Sequence, residues 1–214
     1  MSMKKKVGGW KKAVVAGALT ASLGLGFWAS KSFYTVREVY DGDTFVTTSG
    51  LHVRLDNVNA PEIDDCLGKE AKDELSKLVL NKKVFIKVAL VDPYKRVIAS
   101  VYTTDGSVQE KLLKSGLAIY ERERGVAQDS LFPIAQKAKE EGLGVYSSKC
   151  TQLINPTNSK CDIKGNTRGS SKIYQIPGCR NYENTLVQLH LNNVWFCTEK
   201  EAKAAGFVKS GDCL

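Results

Sequence analysis

The chain has 214 residues, with 31 lysines and arginines against 23 aspartates and glutamates, for a formal net charge of +8. Five of those lysines (Lys4, Lys5, Lys6, Lys11 and Lys12) open the chain, while residues 30–150 carry 18 residues of each sign, so bulk basicity is no argument for a polyanionic partner. The two histidines, His52 and His190, make chemistry based on a histidine base or paired histidine ligands hard to build.

The lysine cluster precedes an uncharged run from Ala13 to Ala29. A basic flank followed by such a run reads as a signal anchor or a signal peptide. Phe27-Trp28-Ala29 is a poor small-x-small cleavage site, which favours an uncleaved anchor over residues 1–30, and the lysines disfavour a buried core helix. By the positive-inside rule everything after Ser30 is then exported. The expectation is a single-pass cell-membrane protein with extracytoplasmic domains, or a secreted one if the segment is cut.

The remainder is long enough for one domain over 31–150 and a smaller companion over 151–214. Thr35 to Tyr40 reads as a strand. Thr44 to Thr48 and Leu51 to Leu55 are strand-like runs joined by Ser49-Gly50, a hairpin signal. Ala71, Leu75, Leu78 and Val79 repeat at helical spacing within Leu67 to Leu80. Val84 to Val91 and Val97 to Tyr102 are β-rich and flank a loop that ends in Arg96. Ser107 and Glu110 form a capping box for a helix through Lys114 that Gly116 ends, and Leu131 to Glu141 is a further helix with Pro133 in its first turn.

A hairpin between Thr44 and Leu55 returns its far ends to one place. Asp43, Arg54, Asn59 and Glu62 should therefore converge, and oxygen ligands beside an arginine suit a hard cation and a phosphate. On composition alone, a plain surface hairpin with turn acids at Asp41 and Asp43 is the simpler reading. Residue order argues otherwise.

Asp41-Gly42-Asp43-Thr44, Arg54-Leu55, Ala60-Pro61-Glu62 and Tyr94-Lys95-Arg96, in that order, resemble the thermonuclease family, the homologues of staphylococcal nuclease. The resemblance runs from about Tyr34 to Tyr146. It implies a mixed β+α fold, a five-stranded OB-fold barrel with peripheral helices, and Ca2+-dependent hydrolysis of DNA and/or RNA with little sequence preference. It also implies that Asp43, position 59 and Ala60 hold the cation, that Glu62 orients or deprotonates the attacking water, and that Arg54 and Arg96 grip the phosphate. Tyr94 falls among the substrate-binding positions.

Two departures stand out. Position 59 is Asn where the family has Asp, so the amide oxygen can still ligate but one negative charge is missing. Arg122 and Arg124 stand where the family's type member has tyrosines over the bound nucleotide; they can pair a phosphate or stack on a base, or lie solvated between Glu121 and Glu123. The loop after Glu62 is short, Ile63-Asp64-Asp65-Cys66.

Residues 151–214 resemble a small module found behind bacterial thermonuclease-like domains, carried by Cys161 to Asn166, Ile173 to Gly178 and Trp195 to Glu199. Its partner is unknown, and a monomer is expected. Thr198 and Glu201 read as a second capping box, closed by Gly206. So small a unit wants a staple, and export makes disulfides the expectation for its four cysteines, with Cys66 paired to Cys150. A four-cysteine zinc site is the alternative, weakened by the lack of any C-x-x-C pair. Against a nuclease stand two other readings: a non-catalytic nucleic-acid-binding OB domain, and a cell-surface interaction protein with a vestigial site.

Overall fold

The computed structural model describes residues 33–122 and 130–213, so the apolar N-terminal segment and Arg124 lie outside the described residues. Among the described residues no helix is long and apolar enough to cross a membrane.

Strand β1 (Phe33–Val39) is followed by β2 (Thr44–Thr47) and β3 (His52–Leu55), an antiparallel hairpin pairing Thr44 with Arg54 and Val46 with His52. Gly50 closes it at φ +82°, in the region that glycine enters without strain. A short β4 (Val58–Asn59) precedes helix α1 (Gly68–Val79), then β5 (Lys83–Val91) and β6 (Val97–Thr103). Pairing runs β3-β2-β1-β5-β6, and β6 returns parallel to β3 with Val53 opposite Val97 and Leu55 opposite Ala99. That contact closes a five-stranded barrel, as the OB-like resemblance implies. Closure removes the free edges of the sheet.

Inward side chains alternate along these strands as a period of two requires. Val36, Phe45, Val53, Leu55, Val84 and Val101 are buried. Helix α1 covers one end with Ala71, Leu75 and Val79, while Leu78 packs at the margin. After β7 (Gly106–Ser107), helix α2 (Val108–Lys114) opens on Ser107, whose side chain accepts the Glu110 N–H. Strand β8 (Ile119–Tyr120) leads on towards α3 (Leu131–Glu140), which buries Leu131, Ala135 and Ala138.

The C-terminal part continues with β9 (Thr151–Gln152), β10 (Ile163–Arg168), β11 (Ser171–Gln175), β12 (Val187–Gln188), β13 (Val194–Phe196), α4 (Glu199–Ala204) and β14 (Val208–Lys209). A four-stranded sheet in the order β13-β10-β11-β14 encloses a small core of Ile163, Tyr174, Ala202 and Phe207. Thr198 caps α4 by accepting the Glu201 N–H, and the Glu201 carboxylate in turn accepts the Cys197 N–H. Lys164 lies in this sheet only 1 % exposed, donating to the carbonyls of Tyr182 and Thr185, both at 2.8 Å, with its ammonium over the Tyr182 ring.

Three disulfides staple the chain: Cys66–Cys150, Cys161–Cys197 and Cys179–Cys213. All six cysteines are consumed, which leaves no thiolate for the zinc alternative. The Cys66–Cys150 bridge also fastens the loop after Glu62 to the end of the first domain, just before β9. Leu189 donates its N–H to the Cys150 carbonyl at 2.8 Å and accepts the Cys66 N–H at 3.5 Å.

Candidate active site

Asp43 is placed by its own turn. The Asp41 carboxylate accepts the N–H groups of Asp43 and Thr44 at 2.9 and 2.7 Å, an Asx turn at the mouth of β2. The Asp43 carbonyl accepts the Leu55 N–H at 2.9 Å, tying this turn to the far end of the hairpin. Asp43 is 2 % exposed, and each of its carboxylate oxygens is used. Oδ1 accepts from Arg54 and from the Thr44 hydroxyl, while Oδ2 accepts the Ala60 N–H at 3.0 Å.

Arg54 joins the two halves of the cluster. Its Nη1 donates to Asp43 and its Nη2 donates to the Asn59 amide oxygen at 2.9 Å. Burial pushes the Asp43 carboxyl up to about 6, against the opposing pull of the Arg54 guanidinium. Asp43 and Asn59 thus aim oxygens at one cationic group. Their hard-oxygen character fits the calcium that the resemblance implies. Only Asp43 contributes a full negative charge to that pair.

Glu62 follows in the next turn. It is exposed, and with Asn59 and Ala60 it lines a cavity of about 380 Å³. The turn is held by its backbone, since the Glu62 carbonyl accepts the Asp65 N–H at 2.9 Å. Gly68 packs against it so closely that an added Cβ would stand 1.8 Å from the Glu62 carbonyl oxygen. Asp65 lines the same cavity, its carboxyl raised first by burial and then by the charges of Glu62 and Asp64.

The remaining expected residues make no hydrogen bond to this cluster among the described residues. Arg96 turns its Nε onto the Asp92 carboxylate at 2.8 Å and rests against the Tyr94 ring at 5.6 Å from the centroid. Its position at the start of β6 is as expected, but its side chain has a local partner of its own. Tyr94 and Arg122 are exposed.

Sequence reasoning missed a buried network that positions the site. Asp56, fully buried just after β3, accepts from the Ser100 hydroxyl at 2.7 Å and from the Gln109 amide. Gln109 also donates to the Ala99 carbonyl and accepts the Val101 N–H. This network fixes the Asp56-Asn57 turn, in which Asn57 adopts φ 55°, and so sets where Val58 and Asn59 emerge. In the sequence the network shows only as an acid, Asp56, directly after the strand-like run that ends at Leu55.

Residues 52–148 match the family model described as staphylococcal nuclease homologue. An uncharacterized endonuclease of Escherichia coli is 30% identical over 118 residues, covering 52% of this chain and 75% of that protein. This chain belongs to the family of staphylococcal nuclease homologues. A probable endonuclease LCL3 of Verticillium alfalfae is 29% identical over 152 residues, covering 64% of this chain and 52% of that protein. The staphylococcal-like nuclease CAN1 of Arabidopsis thaliana is 33% identical over 106 residues, covering 48% of this chain and 32% of that protein. The chain therefore spans about half and about a third of the length of these last two relatives. The matched stretch begins at β3 and ends two residues past the 3₁₀ turn at Gly144–Tyr146, before β9.

Proposed function

We propose that this protein is a calcium-dependent nuclease that hydrolyses phosphodiester bonds of DNA and/or RNA with little sequence preference. The observation that carries the reading is the Arg54 guanidinium bridging Asp43 and Asn59, with Glu62 on the same rim. An arginine held between a buried carboxylate and an amide oxygen puts an anion-binding group beside a cation position.

Asp43, Asn59 and the Ala60 backbone would hold the cation, which supplies charge neutralisation at the phosphate when bound. Glu62 accepts a proton from the attacking water. Arg54, moving from the carboxylate to the phosphate, stabilises the charge that builds on the non-bridging oxygens. Arg96 leaves Asp92 to assist the departing oxygen. Tyr94, beside Arg96, and the exposed Arg122 form the outer contacts to the polynucleotide, and Arg124, outside the described residues, is given the same role from its place in the sequence.

The same reading places the protein outside the cytoplasm, held to the membrane by its N-terminal segment or released from it as a monomer. Three disulfides and no free cysteine suit an oxidising compartment. Non-reducing peptide mapping together with membrane fractionation reads both parts of that statement.

One observation favours a second reading. Asn59 lowers the charge of the cation pair, which fits a nucleic-acid-binding domain that does not cleave. Digestion of a labelled single-stranded DNA in millimolar calcium, with a chelator control, separates the two. Chelator-sensitive fragments support the nuclease, whereas gel-shift binding with intact DNA selects the binding domain. Neither cleavage nor binding would leave a surface interaction protein.

A further inference from the structure

The rim of the candidate site continues into a second cavity. In the β4–β8 ladder Asn59 lies opposite Ile119 and Val58 opposite Tyr120. Beyond that ladder is a space of about 280 Å³ lined by Tyr120, Phe132 and Tyr146 of the nuclease-homologue domain and by Gln188, His190 and Leu191 of the C-terminal part. Ile119, His190 and Leu191 also line the 380 Å³ cavity that holds Asn59, Ala60 and Glu62. The two spaces therefore share a wall, and one side of it comes from outside the nuclease-homologue domain.

The lining has the chemistry of a nucleobase site. Phe132 is 49 % exposed in the first turn of α3 and meets Tyr120 edge to face at 5.6 Å. Helix α3 anchors itself with Leu131, Ala135 and Ala138, so the barrel core does not account for the ring of Phe132. Gln136 and Gln188 offer amides that can pair with a base edge, and Lys139 supplies a charge for a neighbouring phosphate. The volume is close to the lower end of the roughly 300–1,000 Å³ typical of small-molecule sites, which suits one base and not a duplex.

We propose that this aromatic cavity is a nucleobase subsite in which the base next to the scissile phosphodiester stacks on Phe132, making the enzyme select single strands. The proposal rests on the nuclease reading above. A paired base is stacked within its duplex and must leave it to enter such a cavity, a cost that an unpaired base does not meet. The C-terminal part, through Gln188, His190 and Leu191, then acts as the second wall of the subsite.

The test compares wild type, Phe132→Ala and Phe132→Trp in the full chain. The substrates are a single-stranded DNA oligonucleotide, its duplex, and bis(4-nitrophenyl) phosphate as a diester without a base. Stacking on an aromatic is worth about 1–3 kcal/mol per base, so Phe132→Ala should raise KM for the oligonucleotide about tenfold relative to its effect on the base-free diester. Phe132→Trp should restore it, and wild type should cut the duplex more slowly. An equal effect on both single-stranded and base-free substrates, or no recovery in Phe132→Trp, would overturn the subsite. If wild type cleaves nothing, oligonucleotide binding by fluorescence anisotropy decides separately. A Phe132-dependent Kd keeps the subsite while the nuclease reading fails, and a Phe132-independent Kd ends the subsite.

Discussion

Arg54 donates to the Asn59 amide oxygen at 2.9 Å from the same guanidinium whose other nitrogen is held by Asp43. Position 59 therefore already faces a positive charge. Asn59→Asp would place a second carboxylate there and raise affinity for a divalent cation. The calcium concentration for half-maximal cleavage should fall by on the order of tenfold, read from a calcium titration of DNA digestion. An unchanged midpoint would remove position 59 from the cation site.

Gly68 abuts the Glu62 carbonyl, so Gly68→Ala must displace the turn that carries Glu62. The clash is with backbone, which cannot rotate out of the way as a side chain can. A misplaced catalytic group costs on the order of a hundredfold in rate. Cleavage kinetics should show that loss in kcat while circular dichroism keeps the barrel's spectrum. Wild-type turnover in Gly68→Ala would contradict this role.

How far all this could be foreseen depends on how local each signal is. The β2–β3 hairpin, the two capping boxes at Ser107 and Thr198, and the apolar stripe of α1 are set by residues within a few positions of one another, and the chain displays them openly. The Asp43, Arg54 and Asn59 cluster follows because that hairpin is tight. Other features rest on distant partners. Arg96 sits at the predicted place but is held by Asp92, four residues back, a choice that periodicity cannot reveal. Lys164 is buried in the C-terminal sheet because two carbonyls and an aromatic ring, 18 to 21 residues further on, make that burial tolerable. His190 is 3 % exposed because the C-terminal part packs onto the loop fixed by Cys66–Cys150, a contact no local pattern encodes.

Lys164 gives a stability prediction. Lys164→Met fills the space but leaves the Thr185 carbonyl without its donor, while the Tyr182 carbonyl keeps the Thr185 N–H at 3.1 Å. An interior carbonyl left unpaired costs about 1–3 kcal/mol. Urea unfolding followed by Trp195 fluorescence should therefore show a loss of about 1–3 kcal/mol, partly offset by the removal of a buried charge. Unaltered stability would mean that the ammonium contributes nothing net.

His190 gives a pH prediction. Burial holds its imidazole down to about 4 from the ordinary 6.5, with the Cys150 backbone acting in the opposite sense, and neither ring nitrogen makes a hydrogen bond with the described residues. The unfolded chain therefore binds a proton at higher pH than the folded one. Stability from this group is fully present above about 6.5 and is lost as pH falls from there through 4. The loss should be on the order of 1–2 kcal/mol after allowance for solvent screening, read as the difference between wild type and His190→Phe in melts from pH 7 to 4. Parallel curves for the two proteins would exclude this account of the histidine.

The most direct test of the central claim is the single-turnover rate of single-stranded DNA cleavage at saturating calcium in wild type and Glu62→Gln. The rate should be at least about a hundredfold lower in Glu62→Gln, with DNA affinity close to that of wild type. Equal rates in the two proteins would contradict that claim, because a water-activating role for Glu62 could not then stand.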